Sequence, residues 1–270
     1  MLIKLFEISL SQKLKNKSTM TLDNPKYPIY DNGQLHIVVS QGNMKLGNIP
    51  QFNTLPGDEP LKLKSGQVLT NIKGTCGGCC DDCKKSCYAI RSACLHHNVN
   101  ITAWGKNTVI IRNEPEKVKR EIKEFCEKNI VRYFRFHTAG EFESIKQLEL
   151  YCEICKENED VIFYTYTKRF DLIAEYFVIQ GNALPENFII NLSEWHDNIE
   201  NFVATYEGTE NYKAVKKFLE SLNFFAFDDT YNYVYPHCPA IDKTGHETGI
   251  TCAQCRRCTK RGSKTAVYPH

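Results

Sequence analysis

The chain carries almost no net charge, no long apolar run, and no repeat or low-complexity segment apart from an alternation of strand-like and helix-like stretches. A membrane helix needs ~20 consecutive apolar residues, and nothing in these 270 residues approaches that. The formal charge of +2 is too small to point to a nucleic-acid partner by itself. The start, MLIKLFEISLSQKLKNKS, does not read as a secretory signal: its apolar stretch is short, it lacks a small-residue cleavage site, and lysines stand on both sides.

What the chain has in abundance is cysteine, thirteen residues, an odd and high count. In a secreted chain this would suggest a disulfide scaffold. Here the expected setting is a reducing cytoplasm with no membrane association, where closely spaced cysteines serve as metal ligands. At 42% hydrophobic the chain can bury a full core, as one large α/β domain or two smaller ones.

Residues 1–30 read as a weakly ordered arm. QLHIVVSQGN reads as a short strand and turn, and the Pro- and Gly-rich NIPQFNTLPGDEPLKLKSG as loop. VLTNIK is a strand candidate, followed by a cysteine loop and a helix-like stretch. EPEKVKREIKEFCEKN places Val118, Ile122, Phe125 and Cys126 on one helical face, with Pro115 near its start. Strand candidates VRYFRFHTAG, VIFYTYTKR and NFIINLSEW then alternate with helix candidates SIKQLELYCEICKEN, FDLIAEYFVIQ and NYKAVKKFLESL. FFAFDDT and YNYVYP are the last strand candidates. Such alternation implies parallel pairing with right-handed crossovers, and suits an open partial barrel as well as a doubly wound sheet. In RYFRFHT, Phe134 and Phe136 share one face while Tyr133, Arg135 and His137 share the other.

The cysteines divide by spacing. Cys126, Cys152 and Cys155 lie on apolar helix faces and read as core. Cys252, Cys255 and Cys258, with Cys238 ahead of them, form a polar, basic C-x-x-C-x-x-C run with a remote fourth thiolate. This favours an iron–sulfur cluster over structural zinc, which uses two separated pairs. In TCGGCCDDCKKSCYAIRSAC six cysteines compete: Cys76, Cys79, Cys80, Cys83, Cys87 and Cys94. One triple, Cys76, Cys80 and Cys83, has the spacing C-x-x-x-C-x-x-C. The other, Cys76, Cys83 and Cys87, has C-x6-C-x3-C-Y-A. Three thiolates hold an iron–sulfur cluster with one iron left open, whereas four close it.

GNMKLGNIPQFNTLPG, the loop ending in CYA, RYFRFHTAGEF, FYTYTKR and the terminal CP…TCAQCRRC resemble phage-type proteins of the gene product 88 domain family over about residues 41–260. More distantly the layout resembles radical S-adenosylmethionine enzymes. The first resemblance implies that Cys76, Cys83 and Cys87 ligate the open cluster, with Cys79 and Cys80 at variable positions. The second implies an α/β fold: a partial (β/α)6 TIM-like barrel of radical-enzyme type over residues 31–236, with a C-terminal cysteine-rich extension over 237–270. It also implies S-adenosylmethionine as the ligand of the open cluster; the two cysteine sets themselves point to two [4Fe-4S] clusters, for which a small electron donor of flavodoxin or ferredoxin type is expected. AGEF (Ala139 to Phe142) stands where radical enzymes carry Gly-Gly-Glu, but with one glycine missing.

Ligands of parallel α/β folds bind at the carboxyl ends of strands. There the sequence offers His137, Gly140, Glu141, Lys168, Arg169 and Ser193 to His196. Glu141 with Gly140 is the candidate contact for a ligand amine, and Lys168 and Arg169, beside Ser193, the clamp for a carboxylate or phosphate. His137 and Arg135 are the candidate catalytic contacts with a substrate. The expected function is redox or radical catalysis by an iron–sulfur enzyme using S-adenosylmethionine. Its rivals are an open-site cluster acting on substrate directly, and a zinc-stabilised nucleic-acid-binding module built on RRCTKRGSK.

Overall fold

The structure is a computed structural model describing residues 35–79, 81–227 and 235–268. The N-terminal arm, Cys80 and most of the strand candidate YNYVYP lie outside the described residues. The chain divides into two compact units: one holds, of the described residues, 35–38, 53–121 and 139–143, and the other the remainder.

The first unit opens with an antiparallel pair, β3 (Pro60–Lys62) and β4 (Val68–Lys73). Helices α1 (Asp81–Ser86), α2 (Tyr88–Leu95) and α3 (His97–Asn113) follow the first cysteines. Buried Asn107 of α3 ties separate stretches of chain together. Its amide donates to the carbonyls of Val38 (2.9 Å) and Asn53 (2.8 Å), and its carbonyl accepts from Val38 N–H (2.7 Å).

The second unit carries a mixed, mostly parallel sheet of seven strands in the order β1 (Val39–Ser40), β2 (Gln51–Phe52), β5 (Tyr133–Phe136), β6 (Ile162–Thr167), β7 (Phe188–Glu194), β8 (Asn223–Phe227) and β9 (Lys264–Val267). Only β1 runs antiparallel to its neighbour. The crossovers carry α5 (Ile145–Glu157), α6 (Phe170–Ala174, continuing as a π-helical turn to Ile179), α7 (Asn198–Ala204) and α8 (Tyr212–Ser221).

The alternation expected in β5 is present. Phe134 and Phe136 are fully buried, packing with Phe163 and Phe188 of neighbouring strands and with Tyr151 of α5. Each such side chain contributes roughly 1.5–3 kcal/mol of burial. Helix α4 (Pro115–Asn129) starts at its proline, which needs no amide partner there. It buries Val118, Ile122 and Cys126, and its Phe125 meets Phe134 edge-on at 6.3 Å.

Two expectations are corrected. The Pro- and Gly-rich stretch is not all loop: Gln51 and Phe52 form β2, buried and parallel to β5, because the residues between Pro50 and Pro56 hold apolar side chains for the core. VLTNIK is a strand, as expected, but its partner is β3 and not the parallel sheet. Cys152 and Cys155 are buried on α5, as their spacing predicts. Cys152→Ala is therefore expected to lower stability by on the order of 1 kcal/mol in a denaturant titration.

Candidate functional site

The loop cysteines lie in the first unit, and the segment 53–55 positions them. Leu55 O accepts from both the N–H and the hydroxyl of Thr75 (2.8 and 3.1 Å), and Thr54 N–H donates to Ala139 O (3.1 Å). The Thr54 and Thr75 hydroxyls meet at 2.9 Å, and Thr75 Oγ1 accepts from Glu141 N–H (2.9 Å). The segment carrying Gly140 and Glu141 is thus hung beside the residue that precedes Cys76. At its far end Arg112 grips Glu143 (2.6–3.2 Å) and the carbonyls of Lys73 and Gly74.

Gly140 is required twice over. Its φ is +88°, and a Cβ there would overlap the Thr54 hydroxyl. Glu141 is buried, and its Oε1 accepts from Phe142 N–H (2.9 Å). The Cys76 thiol is held well above the usual cysteine pKa, first by burial and then by the Glu141 carboxylate, with Cys87 and Cys79 adding to it. Glu141, Cys76, Cys79 and Cys87 therefore share one neighbourhood. Cys79 is raised to about 11, by burial, by Asp58 and by Cys83. Cys94 stands apart: its thiol donates to Lys62 O (3.6 Å), and burial alone raises it.

The C-terminal cysteines lie in the second unit. Cys238 N–H donates to Ala266 O of β9 (2.7 Å). Cys252 and Cys255 bracket the short helix α9 (Cys252–Cys255), which a Thr251–Gln254 capping box starts. Cys252 and Ala253 donate backbone N–H groups to Lys45 O and Leu46 O (2.8 and 3.2 Å). Cys258 sits in the following 3-10 turn, Arg257–Thr259. Its carbonyl accepts from buried Asn191 of β7 (3.1 Å) and Asn223 of β8 (3.4 Å), and Asn223 also donates to Asn191 Oδ1 (3.0 Å) and Lys260 O (2.8 Å).

Burial lifts the Cys258 thiol to about 11. A hydrogen bond with Tyr166 opposes this, while Cys238, Cys252 and Cys255 add to it. Burial likewise raises Cys252, partly offset by the Arg135 guanidinium. Lys45 is lowered by burial, with Cys238 and Cys252 acting the other way. Four thiols, two cations and a tyrosine hydroxyl thus converge, a donor set that fits a thiolate-ligated cluster. Among the described residues no three His, Cys, Asp or Glu side chains stand close enough to grasp a single metal ion as they are.

The other candidate residues each make contacts of their own. His137 has φ +56°, which turns its ring out of strand alternation and against Tyr151 (5.1 Å), away from the face of Arg135. Arg169 makes a bidentate pair with Asp171 (2.8 and 2.9 Å). Lys168 lies over the rings of Trp195 and Phe227 (5.9 and 5.5 Å). Ser193 is buried, and its carbonyl accepts from Asn198 (3.0 Å). In the basic tail, Arg256 donates to Ala253 O, Arg257 to Pro236 O and His237 O, and Arg261 to Pro185 O and Glu186 O.

A cysteine-rich α/β protein with a mostly parallel sheet is the class that fold and site define. The chain belongs to the gene product 88 family, whose model matches residues 37–261. No curated protein and no solved structure matches it. No helix among the described residues is long and apolar enough to cross a membrane.

Sequence reasoning missed Thr54, Thr75, Lys45, Asn191 and Asn223, and took in Glu194 only within the stretch Ser193 to His196, with no role of its own. Glu194 was detectable, being an acid in step with the core-facing Phe188, Ile190 and Leu192. Burial pushes its carboxyl up to about 7 from an ordinary 4.5, against the N–H groups of Ile199 and Asn198, and its Oε1 has no hydrogen-bond partner among the described residues. The folded chain thus keeps a proton that the unfolded chain releases. Stability from this group is complete below pH ~4.5 and declines as pH rises through ~7.

Two outcomes are expected. E194Q, which cannot ionise, gains on the parent by on the order of 2 kcal/mol between pH 5 and pH 8, read by urea denaturation at both. Gly140→Ala destabilises the protein by roughly 1–3 kcal/mol more than Gly181→Ala, since both glycines have positive φ but only Gly140 has neighbours that a methyl group would strike.

Proposed function

We propose that this is an iron–sulfur redox enzyme with two independent cysteine-ligated centres, one open and one closed. The observation that carries the reading is the sorting of thiols into two groups that share no residue. Cys238, Cys252, Cys255 and Cys258 act on one another in the second unit, and Cys76 acts with Cys79 and Cys87 in the first.

Cys76, Cys83 and Cys87 would hold a [4Fe-4S] cluster with one iron free of protein ligands, and the four C-terminal thiolates would close a second. When bound, such centres supply a redox-active, ligand-accepting corner and a route for electrons. Glu141, beside Cys76, would accept the amine of S-adenosylmethionine, with Gly140 keeping the approach clear. The Thr75 hydroxyl holds the Glu141 backbone in register with the cysteine segment.

The finer fold reading is a partial (β/α)6 barrel. It is supported by β2, β5, β6, β7, β8 and β9 being parallel neighbours in chain order, with no reversal of winding, although β9 comes from the stretch 237–270, expected as an extension outside the barrel. A cytoplasmic setting and a small flavodoxin- or ferredoxin-type donor belong to the same proposal. Direct activation of substrate without S-adenosylmethionine is the second reading. It is favoured by Arg169, a residue meant for the ligand carboxylate, being paired with Asp171. A zinc-stabilised nucleic-acid module is disfavoured, because the tail's arginines bind the chain's own carbonyls.

Anaerobic purification with iron, sulfide and zinc measured together tests the proposal. The parent should hold iron and sulfide, and Cys83→Ala and Cys252→Ala should each lose roughly half of both, since the ligand sets are disjoint. A colourless, zinc-only protein would end the enzyme reading.

A further inference from the structure

Arg135 lies on β5 between the buried rings of Phe134 and Phe136, so its side chain leaves the sheet on the opposite face. Its strand is pinned there: Arg135 N–H donates to Pro50 O (2.9 Å), and Arg135 is in register with Gln51 on one side and Tyr164 on the other. The guanidinium sits 4.5 Å from the centre of the Tyr166 ring and 5.9 Å from that of Tyr164. A planar, weakly hydrated cation is well suited to such a stack.

The same two tyrosines meet the C-terminal cysteines. Tyr166 hydrogen-bonds the Cys258 thiol. Cys252 and Ala253 pack against the cluster of Ile49, Tyr164 and Ile189. Lys45 joins them, its carbonyl receiving the Cys252 N–H and its ammonium lying within range of the Cys238 and Cys252 thiols.

We propose that Arg135, with Lys45, is the fixed counter-charge that sets the reduction potential of the C-terminal cysteine centre. This rests on the iron–sulfur reading of that centre, and it assigns Arg135 a positioning and tuning role in place of substrate contact. Reduction adds one electron, hence one unit of negative charge, to a site already rich in thiolates. A cation held nearby in a poorly polarisable interior favours the reduced form and raises the potential. Arginine keeps its proton at any working pH, so its contribution does not vary with pH.

The test is potentiometric electron paramagnetic resonance on the full chain purified anaerobically, following the signal that Cys252→Ala removes. Arg135→Gln and Lys45→Gln should each keep their iron and move the midpoint to more negative potential. Arg135→Lys, which restores the charge, should return the midpoint most of the way to the parent value. If Arg135→Gln fails to fold, Lys45→Gln carries the test, because it leaves the tyrosine stack intact. Iron-loaded glutamine variants with the parent's midpoint would overturn the assignment of Arg135 and Lys45 alone. A parent without iron would overturn the underlying reading and this inference with it.

Discussion

Sulfur atoms gathered in a buried place resist ionisation, and this constraint governs both cysteine groups. Burial raises the Cys76, Cys252 and Cys258 thiols, and the neighbouring thiols add to the effect at each of them. A chain that assembles such groups needs something positive to relieve them. At the C-terminal group Arg135 and Lys45 supply part of that charge from the protein itself. At the loop group the largest charge effect on Cys76 is that of Glu141, which acts in the opposite sense. An acid beside thiols makes sense for a site that awaits a cationic partner, and under the proposal a metal cluster and a ligand amine are those partners.

The architecture answers the constraint with hydrogen bonds between backbone and small polar side chains. The carbonyl of Cys258 hangs from two asparagines on adjacent strands, and α9 begins on a capping box and on the backbone of Lys45 and Leu46. The loop group depends on a threonine pair and on a glycine where any side chain would crowd the Thr54 hydroxyl. Such supports orient the first ligands of a site, and they are where a distant substitution would be felt.

Much of this was legible in the sequence, because periodicity is a local property. The faces of α4 and α5, the alternation in β5 and the core role of Cys152 and Cys155 follow from spacing alone. So does the grouping of Cys252, Cys255 and Cys258. Illegible were the contacts made by register and crossover. Nothing local marks Thr54 as the partner of Thr75, or Lys45 as a neighbour of Cys252. His137 defeated the alternation rule because a left-handed residue ends the strand, a conformation that sequence rarely advertises outside glycine. Strand β2 was hidden by its prolines, although two buried residues suffice to pair with β5.

The claim that one centre is open and the other closed is tested most directly by Mössbauer spectroscopy of protein enriched in 57Fe, recorded with and without S-adenosylmethionine. The account predicts that a single iron site, absent from Cys83→Ala and retained in Cys252→Ala, changes its spectrum when the ligand binds. Two sets of iron sites that both ignore every added ligand, each wholly coordinated by thiolate, would contradict it.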